Sequence, residues 1–141
     1  MDITAYLQLM VEKDASDLFF SAGAPVNIKL QGESHPVGNK PLSATEVHDV
    51  VWSVLNDEQI ATFERDLELN LAISVAKLGR FRINVFRQRG ETAMVVRYIK
   101  NKIPSIEELG LPEILKQLIM EKQGLILVVG STGSGKSTTL A

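Results

Sequence analysis

Leu125-Ile126-Leu127-Val128-Val129-Gly130-Ser131-Thr132-Gly133-Ser134-Gly135-Lys136-Ser137 decides how this chain is read. Five consecutive apolar residues suit a short strand buried on both faces, and a glycine-rich loop follows it directly in the pattern G-x-x-x-x-G-K-[ST]. Glycines at 130, 133 and 135 let the backbone approach an anion closely, so that successive N–H groups, including those of Ser131, Thr132 and Ser134, point inward as a nest. Lys136 is then placed for the β- and γ-phosphates of a nucleotide and the Ser137 hydroxyl for Mg²⁺, with Thr138 as a flanking phosphate contact. A helix beginning here adds the positive end of its dipole. The bland alternative is a glycine-rich turn with a solvated lysine, which leaves the hydrophobic run in front of it unexplained.

The chain runs only four residues past Ser137, so the loop is expected to be the start of a nucleotide-binding domain and the chain a fragment of a longer protein. Apolar side chains at 125–129 contribute roughly 1.5–3 kcal/mol each when fully buried, and a lone strand leaves that unrealised. The segment 125–141 is therefore expected to lie outside any intramolecular parallel sheet.

At 141 residues, with 45% hydrophobic and 23% charged residues, the composition is that of a globular protein holding one ordinary domain and part of another. A net charge of −2 gives no sign of a nucleic-acid surface, and the absence of cysteine excludes disulfides and thiolate metal sites. Residues 1–14 carry Asp2 and Glu12 and lack a basic start followed by a long apolar core, so they do not read as a signal peptide. His35 and His48 have no carboxylate cluster in common and read as surface histidines, not metal ligands.

Along the chain, Ile3, Leu7, Met10 and Val11 keep helical spacing behind Asp2, a short strand covers 17–21, and Val26, Ile28 and Leu30 alternate with polar residues. Turns are expected at Gly32 and at Gly38-Asn39. Ser43 and Glu46 form a capping box ahead of a helix bearing Val47, Val50, Val51, Val54 and Leu55, and a second short helix runs from Asp57 to about Arg65. Alternation over 67–75 is the longest strand signal and points to a central strand. Arg80-Phe81-Arg82-Ile83-Asn84-Val85 alternates again; Phe86 breaks that pattern, which predicts a bulge or a turn-over, with Arg87 and Arg89 on a different face from Arg80 and Arg82. Thr92 to Ile99 is the hairpin partner and carries Arg97. The texture changes near residue 100. Ile103-Pro104 makes an extended joint, Ser105 and Glu108 a second capping box, and Pro112 suits the first turn of a helix with Leu115, Leu118 and Ile119. The expected organisation is an α+β domain over 1–100, a joint over 101–112, and the start of an α/β domain over 113–141. On periodicity alone the arginines of 80–97 read as the solvated face of a strand.

Ala15-Ser16-Asp17-Leu18, Arg80 to Phe86, Ile103 to Pro112 and Gly130 to Leu140 together resemble the PilT-like type IV pilus retraction ATPases of the secretion ATPase superfamily. Met10-Val11-Glu12-Lys13 and Leu111 to Lys116 are more similar to the PilU branch. The resemblance implies a PAS-like N-terminal domain, with an antiparallel sheet flanked by helices, followed by the truncated start of a RecA-like ATPase domain. It implies ATP and Mg²⁺ as cofactors, assembly into a hexameric ring, and a cytoplasmic location peripheral to the inner membrane. A related retraction ATPase and the inner-membrane platform protein are the implied partners, and no nucleic acid is. It also implies that arginines of the N-terminal domain close over nucleotide held by a neighbouring loop: by motif position Arg82 and Arg97, with Arg80 beside them. The family's acidic metal-site residues, its catalytic glutamate and its histidine box match nothing before Ala141, so these residues alone are expected to hydrolyse ATP slowly or not at all. Two other readings stay open: a small kinase or GTPase, in which such a loop usually lies nearer the N-terminus, and a non-catalytic ligand-sensing or assembly module.

Overall fold

The computed structural model describes residues 2–100, 104–131 and 134–140 and separates into two units, 1–100 and 101–141. In the first unit α1 (Ile3–Glu12) starts at Asp2, whose carboxylate accepts from Thr4 N at 2.8 Å, and lays Leu7 and Met10 into the core. Strands β1 (Asp17–Phe20), β2 (Val26–Leu30) and β3 (Glu33–Val37) follow, then helices α2 (Ala44–Trp52) and α3 (Asp57–Asp66). Strands β4 (Glu68–Val75), β5 (Gly79–Gln88) and β6 (Glu91–Ile99) complete one antiparallel sheet of order β3-β2-β1-β6-β5-β4.

Register fixes which side chains share a face. Leu18, Ile28, Ile83 and Val96 lie in one cross-strand row, and Phe20, Val85 and Met94 in another; all are buried with Val47, Val50, Val51 and Phe63 of the helices. The core thus sits between one sheet face and the three helices, and the other sheet face carries Asp17, Lys29, Arg80, Arg82 and Arg97.

Two expectations about the sheet are corrected, and one strand is added. β4 is an edge strand, not a central one: alternation reports that one face is covered, which Leu69, Leu71, Ile73 and Val75 satisfy, and says nothing about how many neighbours a strand has. Phe86 neither bulges nor turns β5 over, because the β5–β6 register is unbroken from Arg80 to Gln88. Phe86 sits on the face of Arg82, and ordinary alternation takes Arg87 to the helix side, where its guanidinium lies 5.4 Å from the Phe63 ring centroid. β3 gave no signal: it carries Pro36, tolerated on an edge, and is joined to β2 through Gln31 (φ 50°) and Gly32 (φ 93°), the paired positive φ of a tight hairpin turn.

The starts of α2 and α3 are both capping boxes. Ser43 Oγ accepts from Glu46 N at 3.1 Å and Glu46 Oε2 from Ser43 N at 2.8 Å; Asn56 and Gln59 repeat the arrangement for α3. The Lys40 ammonium, then the Ser43 backbone N–H and hydroxyl, lower the Glu46 carboxyl from 4.5 to about 2. A carboxyl depressed by folding stabilises above its unfolded pKa and loses that contribution as pH falls toward the folded value. Because glutamine can also close a capping box, the stability advantage of the native chain over Glu46→Gln should hold at pH 5 and above and shrink steadily from there to pH 2. Paired thermal melts check this, and an advantage constant across that window refutes it.

In the second unit, Ser105 and Glu108 form the expected box, with Ser105 N donating to Glu108 Oε2 at 3.0 Å and Glu108 N to Ser105 Oγ at 3.2 Å. It closes a turn, not a helix; the helix, α4 (Ile114–Leu118), comes later and is followed near the chain end by α5 (Lys136–Leu140). The run Leu125–Val129 is not paired as a strand, and its side chains are between 36% and 89% exposed. Among the described residues the expected strand is therefore not formed: the run has no paired strand there to receive its backbone hydrogen bonds.

Candidate functional site

Two groups of sequence-designated residues lie in different units. The first is on the open face of the sheet. Arg82 of β5 stands directly opposite Arg97 of β6, and Arg97 directly opposite Asp17 of β1, whose other neighbour is Lys29 of β2. Directly opposed Cβ atoms are about 4.5–5.5 Å apart, so two like charges in that relation repel. Asp17 relieves this, because Arg97 Nε donates to its Oδ1 at 2.7 Å and the Ser16 hydroxyl donates to its Oδ2 at 2.8 Å. The Asp17 side chain is 6% exposed and that of Arg97 65% exposed. Among the described residues the Nη nitrogens of Arg97 and the whole guanidinium of Arg82 make no hydrogen bond. Arg80 lies two residues along on the same exposed face, opposite Ile99.

Arg82 and Arg97 thus put two guanidinium groups, each with five N–H donors, on one side of the ladder, and among the described residues only the Arg97 Nε is committed. Guanidinium forks match carboxylate or phosphate oxygens bidentately, so the arrangement suits an incoming oxyanion. The sequence supplied the arginines. It did not supply Asp17 as a partner, and the only signal available was a carboxylate opening an otherwise apolar strand, Asp17-Leu18-Phe19-Phe20.

The second group is the loop. Lys136 Nζ donates to the carbonyls of Gly130 at 2.8 Å and Ser131 at 2.6 Å, so the ammonium folds back over its own loop. A Cβ on Gly130 would meet Ser134 Oγ at 2.5 Å, so any side chain there forces Ser134 aside. Gly135 has φ 90°, the left-handed region that glycine enters without strain, and α5 starts at the next residue. Ser137 and Thr138 are exposed, while Thr139 closes back on the loop through Oγ1 to Gly135 O at 3.0 Å. Thr132 and Gly133, also expected to bind phosphate, lie outside the described residues, as do positions 101–103 at the start of the expected joint.

A family model described as type II/IV secretion system protein matches residues 1–141. The chain belongs to that family. Within it, the chain is 48% identical over all 141 residues to a Pseudomonas aeruginosa protein named type IV pilus ATPase PilU, and 41% identical to the protein of the same organism named type IV pilus retraction ATPase PilT. It spans 37% of the first and 41% of the second. A crystal structure of the pilus retraction motor PilT with bound ADP superposes with a TM-score of 0.80 at 34% identity, over 99% of this chain and 41% of that one. The Legionella pneumophila ATPase DotB gives the same TM-score at 24% identity, which bears on the fold. The α+β fold of the type II/IV secretion family is thus the fold of this chain. Among the described residues no helix is long and apolar enough to cross a membrane.

Proposed function

We propose that the chain forms the N-terminal part of an ATP-hydrolysing motor that powers type IV pilus retraction. The observation that supports this most is the combination, in a chain 48% identical throughout to PilU, of a complete phosphate-loop sequence and, on a separate unit, a pair of directly opposed arginines of which only the Arg97 Nε is engaged. In this reading residues 1–100 are the PAS-like sensing domain, 101–112 the joint, and 113–141 the start of a RecA-like domain. The full-length protein assembles as a hexameric ring on the cytoplasmic side of the inner membrane, working with a related retraction ATPase against the platform protein.

The residues at hand fit a nucleotide. Gly130, Ser131, Thr132, Gly133, Ser134 and Gly135 supply backbone N–H groups, and Lys136, once its bonds to Gly130 O and Ser131 O are exchanged, reaches the outer phosphates. Ser137 presents the hydroxyl for Mg²⁺, with Thr138 beside it; the metal's chemistry is to neutralise charge on the phosphate oxygens during transfer. Arg82 and Arg97 of a neighbouring subunit then close on the exposed phosphate edge, so that closure of one domain on the next follows nucleotide occupancy and moves the ring.

Steady-state ATP hydrolysis by the full-length protein tests the arginine step. Arg82→Ala should lower the rate by roughly 10–100-fold, the loss of one charge-assisted contact, while hexamer assembly and melting temperature stay unchanged. A rate unaltered in that variant would overturn the role given to Arg82. The same loop sequence in a kinase or GTPase would work without these arginines, so that result favours the competing class.

A further inference from the structure

Asp17 has no place in the apolar core and none in the phosphate loop, yet it is 4% exposed. Burying a carboxylate is costly unless its oxygens are satisfied, and here both are, one by the Ser16 hydroxyl and one by Arg97 Nε. Ser16 is itself held on both sides, its N–H donating to Lys29 O at 3.0 Å and its carbonyl accepting from Tyr98 N at 3.1 Å. The acid is therefore fixed by the sheet before any ligand arrives. Its grip on Arg97 is at Nε, the nitrogen nearest the backbone, which leaves the terminal Nη fork facing outward.

We infer that Asp17 is a positioning residue for nucleotide recognition: its buried carboxylate, oriented by Ser16, clamps Arg97 at Nε so that the Nη fork stands beside Arg82 as one phosphate-directed pair. The inference rests on the reading that Arg97 contacts nucleotide. Without the clamp, repulsion from the directly opposed Arg82 turns Arg97 away, and the fork must be ordered anew at each binding event. Asp17 is too deeply buried to meet the phosphates itself, so it contributes orientation without placing an exposed negative charge on the ligand path.

A double-mutant cycle in the full-length protein tests this, read by calorimetric affinity for MgADP and by steady-state hydrolysis of ATP. Asp17→Ala should weaken MgADP binding and slow turnover about tenfold each, while Asp17→Asn, which keeps one acceptor oxygen for Nε, should cost only about threefold. In an Arg97→Ala background, Asp17→Ala should change neither quantity by more than about twofold, because the residue it acts through is gone. A loss of the same size in both backgrounds makes Asp17 merely structural and overturns the inference. So does native behaviour of Asp17→Ala and Asp17→Asn where Arg97→Ala is impaired, and that outcome leaves the nucleotide-contact reading standing. Native affinity and turnover in Arg97→Ala overturns both. If Asp17→Ala fails to fold, the Asp17→Asn cycle decides on the same criteria.

Discussion

Lys136→Ala in the full-length protein should abolish measurable ATP turnover, lowering it by roughly 10²–10⁴-fold. The magnitude follows from two charge-assisted hydrogen bonds, each worth about 1.5–3 kcal/mol. In the loop as it stands Lys136 Nζ spans two carbonyls, those of Gly130 and Ser131, at 2.8 and 2.6 Å. It is already a two-acceptor ammonium, and phosphate oxygens carrying full charge are the stronger acceptors. Alanine removes both bonds at once and leaves Ser131 O with only the Ser134 N–H at 3.2 Å, so the loop loses its side-chain brace together with its ligand contact. Lys136→Arg should not rescue the activity, because a planar fork cannot occupy the space of a compact ammonium. The control lies elsewhere in the chain. Trp52, the single tryptophan of residues 1–141, belongs to the 1–100 unit, so in these 141 residues taken alone its fluorescence and unfolding midpoint should be native in Lys136→Ala. Turnover within tenfold of native in that variant would remove the loop from the reaction.

How much of this was legible beforehand differs from element to element for physical reasons. Helix starts were, because Ser43 with Glu46 is a local chemical arrangement that forms wherever the chain allows it, and the same holds for Ser105 with Glu108 even though only a turn follows. The position of β4 was not, since alternation records coverage of one face and strand order is a property of the whole sheet. β3 was hidden by Pro36 and by the polar run before it; nothing in Glu33 to His35 marks an edge strand except the turn that precedes it. The run 125–129 reads as a strand buried on both faces, but among the described residues it is unpaired and exposed, because burial is a property of the packing partners and not of the run itself. At the site, the sequence named Arg82 and Arg97 but not their relation. Fifteen positions separate them in the chain, and the β5–β6 register makes them direct neighbours. Asp17 lies eighty positions from Arg97, so no local pattern could have joined them.

Neighbouring residues on β5 should show the sharpest contrast in the molecule, because strand alternation sends Phe81 into the core and Arg82 to the open face. Phe81 is 0% exposed, lies between β4 and β6 and meets Tyr98 at 5.3 Å between ring centroids. Phe81→Ala removes a full ring from a site whose neighbours, backbone-anchored on β4 and β6, collapse poorly, so it should cost about 3–5 kcal/mol. Against a typical total of about 5–15 kcal/mol that is a large share, and for a unit of this size it lowers the melting temperature by at least about 12 °C. Arg82→Ala should leave stability within about 0.5 kcal/mol of native, with any change in the stabilising direction, since it relieves the repulsion between two directly opposed guanidiniums. Urea unfolding followed by Trp52 fluorescence measures both variants. Set beside turnover, the pair separates two ways of losing function. Below its lowered melting point Phe81→Ala should still hold Arg82 and Arg97 in register and retain part of its activity, whereas Arg82→Ala should be fully folded and impaired. If Arg82→Ala instead destabilises the unit by as much as Phe81→Ala, the arginine belongs to the architecture of the sheet, and the open face loses its claim to be a phosphate-directed surface.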